Sequence, residues 1–146
     1  MMAILLAHDY LFFVFTLLGS ASFAVAFKVP KRFFLHAVFL AFCGRSLLTL
    51  LETEHQIALV TLVVAFLIAA ASHLLARFTS APAQAFLIPG IIFLVPGTYI
   101  YRAFSAALSD HTSEAIQHIL TVVSVATAIS FALLLANWIL PSRKSL

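Results

Sequence analysis

The sequence predicts an all-α membrane protein. It expects five transmembrane helices, with the N-terminus outside and the C-terminus inside, and a fourth helix interrupted by two Pro-Gly pairs. Three observations carry this. Of 146 residues, 64% are hydrophobic and 9% charged, where soluble domains carry roughly 25% charged residues. Apolar runs of about 20 residues, the length needed to cross a bilayer, recur along the whole chain, so residues 1–146 read as one transmembrane domain. The few charges gather in the connections and change sign from one to the next.

The first span is expected at about 11–27 and carries Gly19, Ser20, Ala21, Ser22 and Ala24, small residues that let another helix approach closely. No Lys or Arg precedes its apolar region, so no cleaved leader is expected. Lys28, Pro30, Lys31 and Arg32 form a basic connection, with Pro30 suited to a first helical turn. The second span, about 33–51, holds His36, Cys43, Gly44 and Arg45. An acidic connection (Glu52, Glu54, His55) leads to the third, about 57–75, which ends in Ser72 and His73 before Arg77. The fourth, about 85–108, contains Pro89-Gly90 and Pro96-Gly97. Asp110, His111 and Glu114 precede the fifth, about 116–140, which Pro141, Arg143 and Lys144 follow.

Orientation follows from the basic residues. With the first connection cytoplasmic, Lys28, Lys31, Arg32, Arg77, Arg143 and Lys144 all fall inside, and all five acidic residues fall outside. That is the positive-inside arrangement. The net charge of +3 is accounted for this way, and nucleic-acid binding is excluded as its explanation.

The fourth span is the unusual one. A proline removes a backbone donor and crowds the preceding turn, and a following glycine tolerates the resulting geometry. The two pairs stand seven residues apart, about 10.5 Å of helix rise and nearly two turns, so both breaks fall on one face. Irregular backbone at membrane depth is tolerated only against protein or a water-filled cavity. The N-terminus of a half-helix attracts anions, and midplane breaks of this kind build transporter substrate sites. A kink that only serves packing is the alternative.

Arg45 lies within the second span, and a charge there costs about 2.5 kcal/mol or more unless it faces a cavity or partner. Glu52 shares its helical face. Arg102 follows the second break by five residues, at similar height. Two arginines beside a broken helix suit a carboxylate; the plainer readings are a snorkelling Arg45 and an interfacial Arg102. Tyr99 and Tyr101 point to opposite sides, so at most one lines a site. Cys43 is expected as a small buried side chain. A proton relay between His36 and His73 is a minor alternative to interfacial histidines. Thr121, Ser124, Thr127 and Ser130 recur every third residue, which suggests hydrogen bonds between helices. No His, Cys or carboxylate set has metal-ligand spacing, and no nucleophile–base pair is present, so neither a cofactor nor an enzymatic activity is expected.

At these motifs the chain resembles the threonine/serine exporter family, in its small-subunit type, equivalent to the C-terminal half of the longer members. The carrying residues are Phe27-Lys28-Val29-Pro30, Gly44-Arg45, Ser72, Pro82, and above all the run from Ile88 to Gly97 with Tyr99. Members often have proline where this chain has Phe93, and Arg where it has His73. The resemblance implies a bacterial cytoplasmic-membrane protein exporting small carboxylates, either hydroxy amino acids or dicarboxylates such as succinate. It also implies a larger membrane subunit of the N-terminal-half type as partner, with self-association as the alternative. An odd number of spans would give two such halves inverted topology. The expected substrate-binding residues are Arg45, Ser72, Pro89, Gly90, Pro96, Gly97, Tyr99 and Arg102. The rival readings are a subunit that only completes a partner's fold and a homo-oligomeric channel or transporter.

Overall fold

The computed structural model describes residues 2–51, 56–79 and 81–140, with side chains from residue 11 onward. Glu52, Glu54, His55, Arg143 and Lys144, and the side chain of Asp9, lie outside the described residues. The described chain is helical and contains α1 (Met2–Ala26), α2 (Phe34–Leu51), α3 (Ile57–Thr79), α4 (Gln84–Ile91), α5 (Gly97–Leu108) and α6 (Thr112–Ile139), with short 3-10 turns at Lys31–Phe33 and Ile92–Leu94. Among the described residues, four stretches are long and apolar enough to cross a membrane: 31–51, 57–79, 84–108 and 112–139. The apolar part of α1, Leu11–Ala26, is shorter. Phe15, Leu35, Leu50, Phe78, Leu108 and Trp138 all stand on the outer surface. Apolar exposure around every helix is what lipid, not water, requires. The chain is a multi-pass membrane protein.

α3 is the central rod, packed against α2, α4 and α6. Its buried positions, Val60, Thr61, Val64, Ala65, Ile68, Ala69 and Ser72, recur at three- and four-residue steps and so form one face. Opposite them α6 buries Ala115, Val125, Ala128, Ala132 and Ala136, a seam of small side chains that admits close backbone approach. The hydroxyls of α6 are not in this seam. Thr121, Thr127 and Ser130 each donate to the carbonyl four residues back in their own helix, and Ser124 to the one three back. The expected interhelical bonds are thus replaced by local ones within the helix, a common alternative for Ser and Thr. Cys43 is exposed rather than buried, because α2 turns Ala37, Ala41, Gly44 and Leu48 inward. His36 is exposed and His73 buried, and no contact joins them.

Two connections end their helices by the same device. After α1, Lys28 takes a left-handed conformation (φ 53°), and Val29 N–H donates to Ala24 O at 3.0 Å while Lys28 N–H donates to Val25 O at 2.9 Å. After α5, Asp110 does likewise (φ 59°), and His111 N–H donates to Ala106 O at 3.0 Å. These are Schellman-type ends. At the basic end, Arg32 Nη2 donates to Thr79 O at 3.3 Å, which ties the entry of α2 to the exit of α3.

The fourth span departs from expectation in one respect. It has one break, not two. Pro89 and Gly90 lie inside α4, both buried. The helix tightens to a 3-10 turn at Ile92–Leu94, Val95 is extended (φ −61°, ψ 127°), and α5 starts at Gly97 behind Pro96. Val95 obeys the rule that a residue before proline avoids the helical region; Ile88 does not, because packing holds α4 helical through it. Phe86 is fully buried, with its ring centroid 5.7 Å from that of Phe33, and Phe93 meets Phe23 edge-on at 5.4 Å. No glycine has positive φ. Gly90 serves close approach instead: a Cβ there would sit 2.7 Å from Ile68 Cγ2 of α3.

Candidate functional site

The break opens a cavity. It holds about 390 Å³ and is lined by side chains of α2 (Arg45, Leu48, Thr49), α3 (Ile57, Thr61), the break itself (Phe93 to Pro96), α5 (Gly97, Thr98, Tyr99, Arg102) and α6 (Val125). That volume falls in the roughly 300–1,000 Å³ range of small-molecule sites. The cavity lies toward the end of the bundle where α2 and α5 finish and α3 and α6 begin, opposite the basic end.

Its charge comes from two helices. Arg45 sits one turn before Thr49, which donates to Arg45 O at 3.1 Å, and the Arg45 guanidinium carbon lies 5.7 Å from the centroid of the Phe12 ring. Arg102 stands one turn beyond Tyr99, with its guanidinium carbon 6.0 Å from the Tyr99 centroid. Both rings support the cations through their faces. Among the described residues neither guanidinium has an acidic partner. Tyr99 is itself engaged, its ring 6.1 Å from that of His118.

The break adds backbone donors. At the start of α5, Gly97 N–H turns back to Val95 O (2.8 Å), and Tyr99 and Ile100 both donate to Pro96 O (3.1 Å each). Among the described residues, no carbonyl accepts from Thr98 N–H. This 12-residue helix therefore presents a positive end to the cavity.

Of the eight residues singled out from sequence, the structure brings five to this cavity: Arg45, Pro96, Gly97, Tyr99 and Arg102. The other three lie elsewhere. Pro89 and Gly90 are packed into the bundle. Ser72 is fully buried and donates to Ile68 O at 2.8 Å. It lies 11 residues along α3 from Thr61, about 16 Å by helix rise. Sequence reasoning missed Thr49, Thr61, Thr98 and Phe93. Thr49 was within reach, since it stands four residues after Arg45 on the same face. Thr98 directly follows Gly97. Thr61 had no signal of its own.

The chain is a multi-pass helical bundle with a cationic cavity at a broken helix, the architecture of a membrane protein built around one internal site. Residues 12–139 match the Threonine/Serine exporter, ThrE family, and the chain belongs to that family. It is a transporter, not an enzyme. No curated protein and no solved structure matches it.

Proposed function

We propose that this cavity binds the carboxylate of a small solute, and that the chain is a transporter subunit exporting serine- or threonine-type amino acids or dicarboxylates such as succinate. The observation that carries the reading is the convergence of Arg45, Arg102 and the amino end of α5 on one cavity. Each is a donor group suited to a carboxylate, and none is spent on an acidic side chain among the described residues. Pro96-Gly97 shapes the site by ending one half-helix and starting the other. Tyr99 contacts the solute and flanks Arg102.

The segregation of charge supports an orientation with Lys28, Lys31, Arg32 and Arg77 on the cytoplasmic side. The cavity then opens toward the outside, and the five spans begin outside and end inside, in a bacterial cytoplasmic membrane. A larger membrane subunit of the same family is the expected partner. The exposed hydroxyl stripe of α6, whose donors are already satisfied within the helix, offers a small-residue face for it.

The test is efflux of radiolabelled serine, threonine and succinate from native host cells whose chromosomal copy carries Arg45→Ala or Arg102→Ala. Loss of a charged hydrogen-bond partner is worth about 1.5–3 kcal/mol, or roughly 10- to 100-fold in rate. Unchanged efflux of all three solutes, with both variants at normal levels in the membrane, would sink the carboxylate-binding role and leave a subunit that only completes its partner's fold.

A further inference from the structure

The cavity has a charged mouth and an apolar floor, and one polar side chain stands in that floor. Leu48, Leu94, Val125 and Thr61 are 5%, 3%, 1% and 1% exposed, whereas Arg102, Thr98, Thr49 and Gly97 are open and Arg45 and Tyr99 half-buried. Thr61 is thus as enclosed as the aliphatic residues beside it. A threonine in a helix ordinarily disposes of its hydroxyl by donating to its own backbone. Nine other helical hydroxyls here do so. Thr61 does not: among the described residues its hydroxyl makes no hydrogen bond. A hydroxyl without a partner on the wall of a cavity is poised to bond whatever enters.

We infer that Thr61 is a specificity-determining residue whose hydroxyl bonds the polar, uncharged tail of a solute held at the mouth by Arg45 and Arg102. The inference rests on the carboxylate-site reading and deepens it. A solute entering carboxylate-outward places its side chain among Leu48, Leu94 and Val125. A methyl group fits that floor without using Thr61, and a hydroxyl completes it. A second carboxylate there would be desolvated with no cation at that depth. The site therefore favours hydroxylated monocarboxylates over their apolar analogues and over dicarboxylates. A site built to bond a hydroxyl rejects the analogue that lacks it more strongly than an apolar pocket rejects the reverse.

The experiment is efflux of two radiolabelled solutes, threonine and 2-aminobutyrate, from native host cells carrying wild type, Thr61→Val or Thr61→Ser. The two solutes differ only by the hydroxyl, and Val is close to Thr in shape. Wild type is expected to export threonine faster. Thr61→Val lowers the threonine-to-2-aminobutyrate ratio by about threefold to tenfold, the value of one neutral hydrogen bond, through slower threonine efflux, and Thr61→Ser restores the ratio. Because both solutes are read in the same cells, the ratio is independent of how much variant protein accumulates. A ratio unchanged in Thr61→Val, or a wild type with no preference, overturns the inference. Arg45→Ala and Arg102→Ala separate the two failures. If they abolish efflux of both solutes while Thr61→Val leaves the ratio alone, only the role of Thr61 fails. If they leave both effluxes intact, the carboxylate site fails with it.

Discussion

Ile68 is held between two glycines on different helices, and this makes a packing prediction with a sign. Ile68 is 2% exposed. A Cβ added at Gly44 of α2 would overlap Ile68 Cδ1 and lie 3.0 Å from Cγ1, while one added at Gly90 of α4 would lie 2.7 Å from Cγ2. Overpacking of this kind costs about 1–3 kcal/mol, partly offset by the gain of up to about 1 kcal/mol from Gly to Ala in a helix. Ile68→Val deletes Cδ1 and keeps Cγ2. Alone it costs about 0.5–1.5 kcal/mol. On the Gly44→Ala background it removes the colliding atom, so it is expected to stabilise. On the Gly90→Ala background the collision persists, so it still destabilises. The assay is reversible unfolding in detergent micelles for the double-mutant cycle, where coupling of at least about 1 kcal/mol is expected for Gly44 with Ile68 and little for Gly90 with Ile68. If Ile68→Val costs the same on both backgrounds, the two glycines do not mark close helix approach, and the account of α4 as packed rather than broken at Pro89 fails with it.

Two further outcomes follow from the same structure. Pro89→Ala restores a helical N–H within reach of Ala85 O in a helix that is already formed, so stability should be equal or higher and threonine efflux within about threefold of wild type; a complete loss of efflux would place function at the first Pro-Gly pair. The charge segregation predicts that Asp110→Cys is labelled by a membrane-impermeant maleimide in intact cells and Lys28→Cys only after lysis. Both are to be placed on a Cys43→Ala background, which should itself change stability by less than about 0.5 kcal/mol because Cys43 is exposed.

Much of the bundle was legible because lipid removes ambiguity. A run such as Ile57–Thr79 has no folded alternative to a helix in a bilayer; among the described residues, four of the five expected spans fall on stretches long and apolar enough to cross, and the first falls on the shorter stretch Leu11–Ala26. Arg45 and Arg102 were expected at similar height from their positions in their spans, and both line one cavity. What failed did so for identifiable reasons. Pro89 was read by its local preference, and tertiary packing overrode it through Phe33, Phe86 and Ile68. The α6 hydroxyls were read as hydrogen-bonding between helices, when each had a carbonyl of its own helix nearer at hand. Cys43 and Thr61 show the same limit from two sides. A sequence gives the depth of a residue in a span, but which way it faces depends on the neighbours, and in a helix apolar all round no periodicity reveals that.

The single break gives the site a direction. Between Gln84 and Leu94 the fourth span is closed against the bundle by Phe86 on Phe33, Gly90 on Ile68, and Phe93 on Phe23 and Gly19, where a Cβ would come 3.2 Å from the Phe93 ring. Beyond Val95 the contacts of the span shift from α2 and α3 to α6, and the cavity begins. Pro96 thus separates a half-helix that seals from one that lines. Phe93 belongs to both halves, since it packs on α1 and also lines the cavity. Under the proposed carboxylate site this division matters, because a solute bound at the arginines would have to reach them from one side at a time. Two interruptions, as the Pro-Gly pairs suggested, would have weakened the sealing half. By keeping Pro89 helical and buried, the chain confines irregular backbone to the one level where Arg45, Thr61 and Arg102 come together around it.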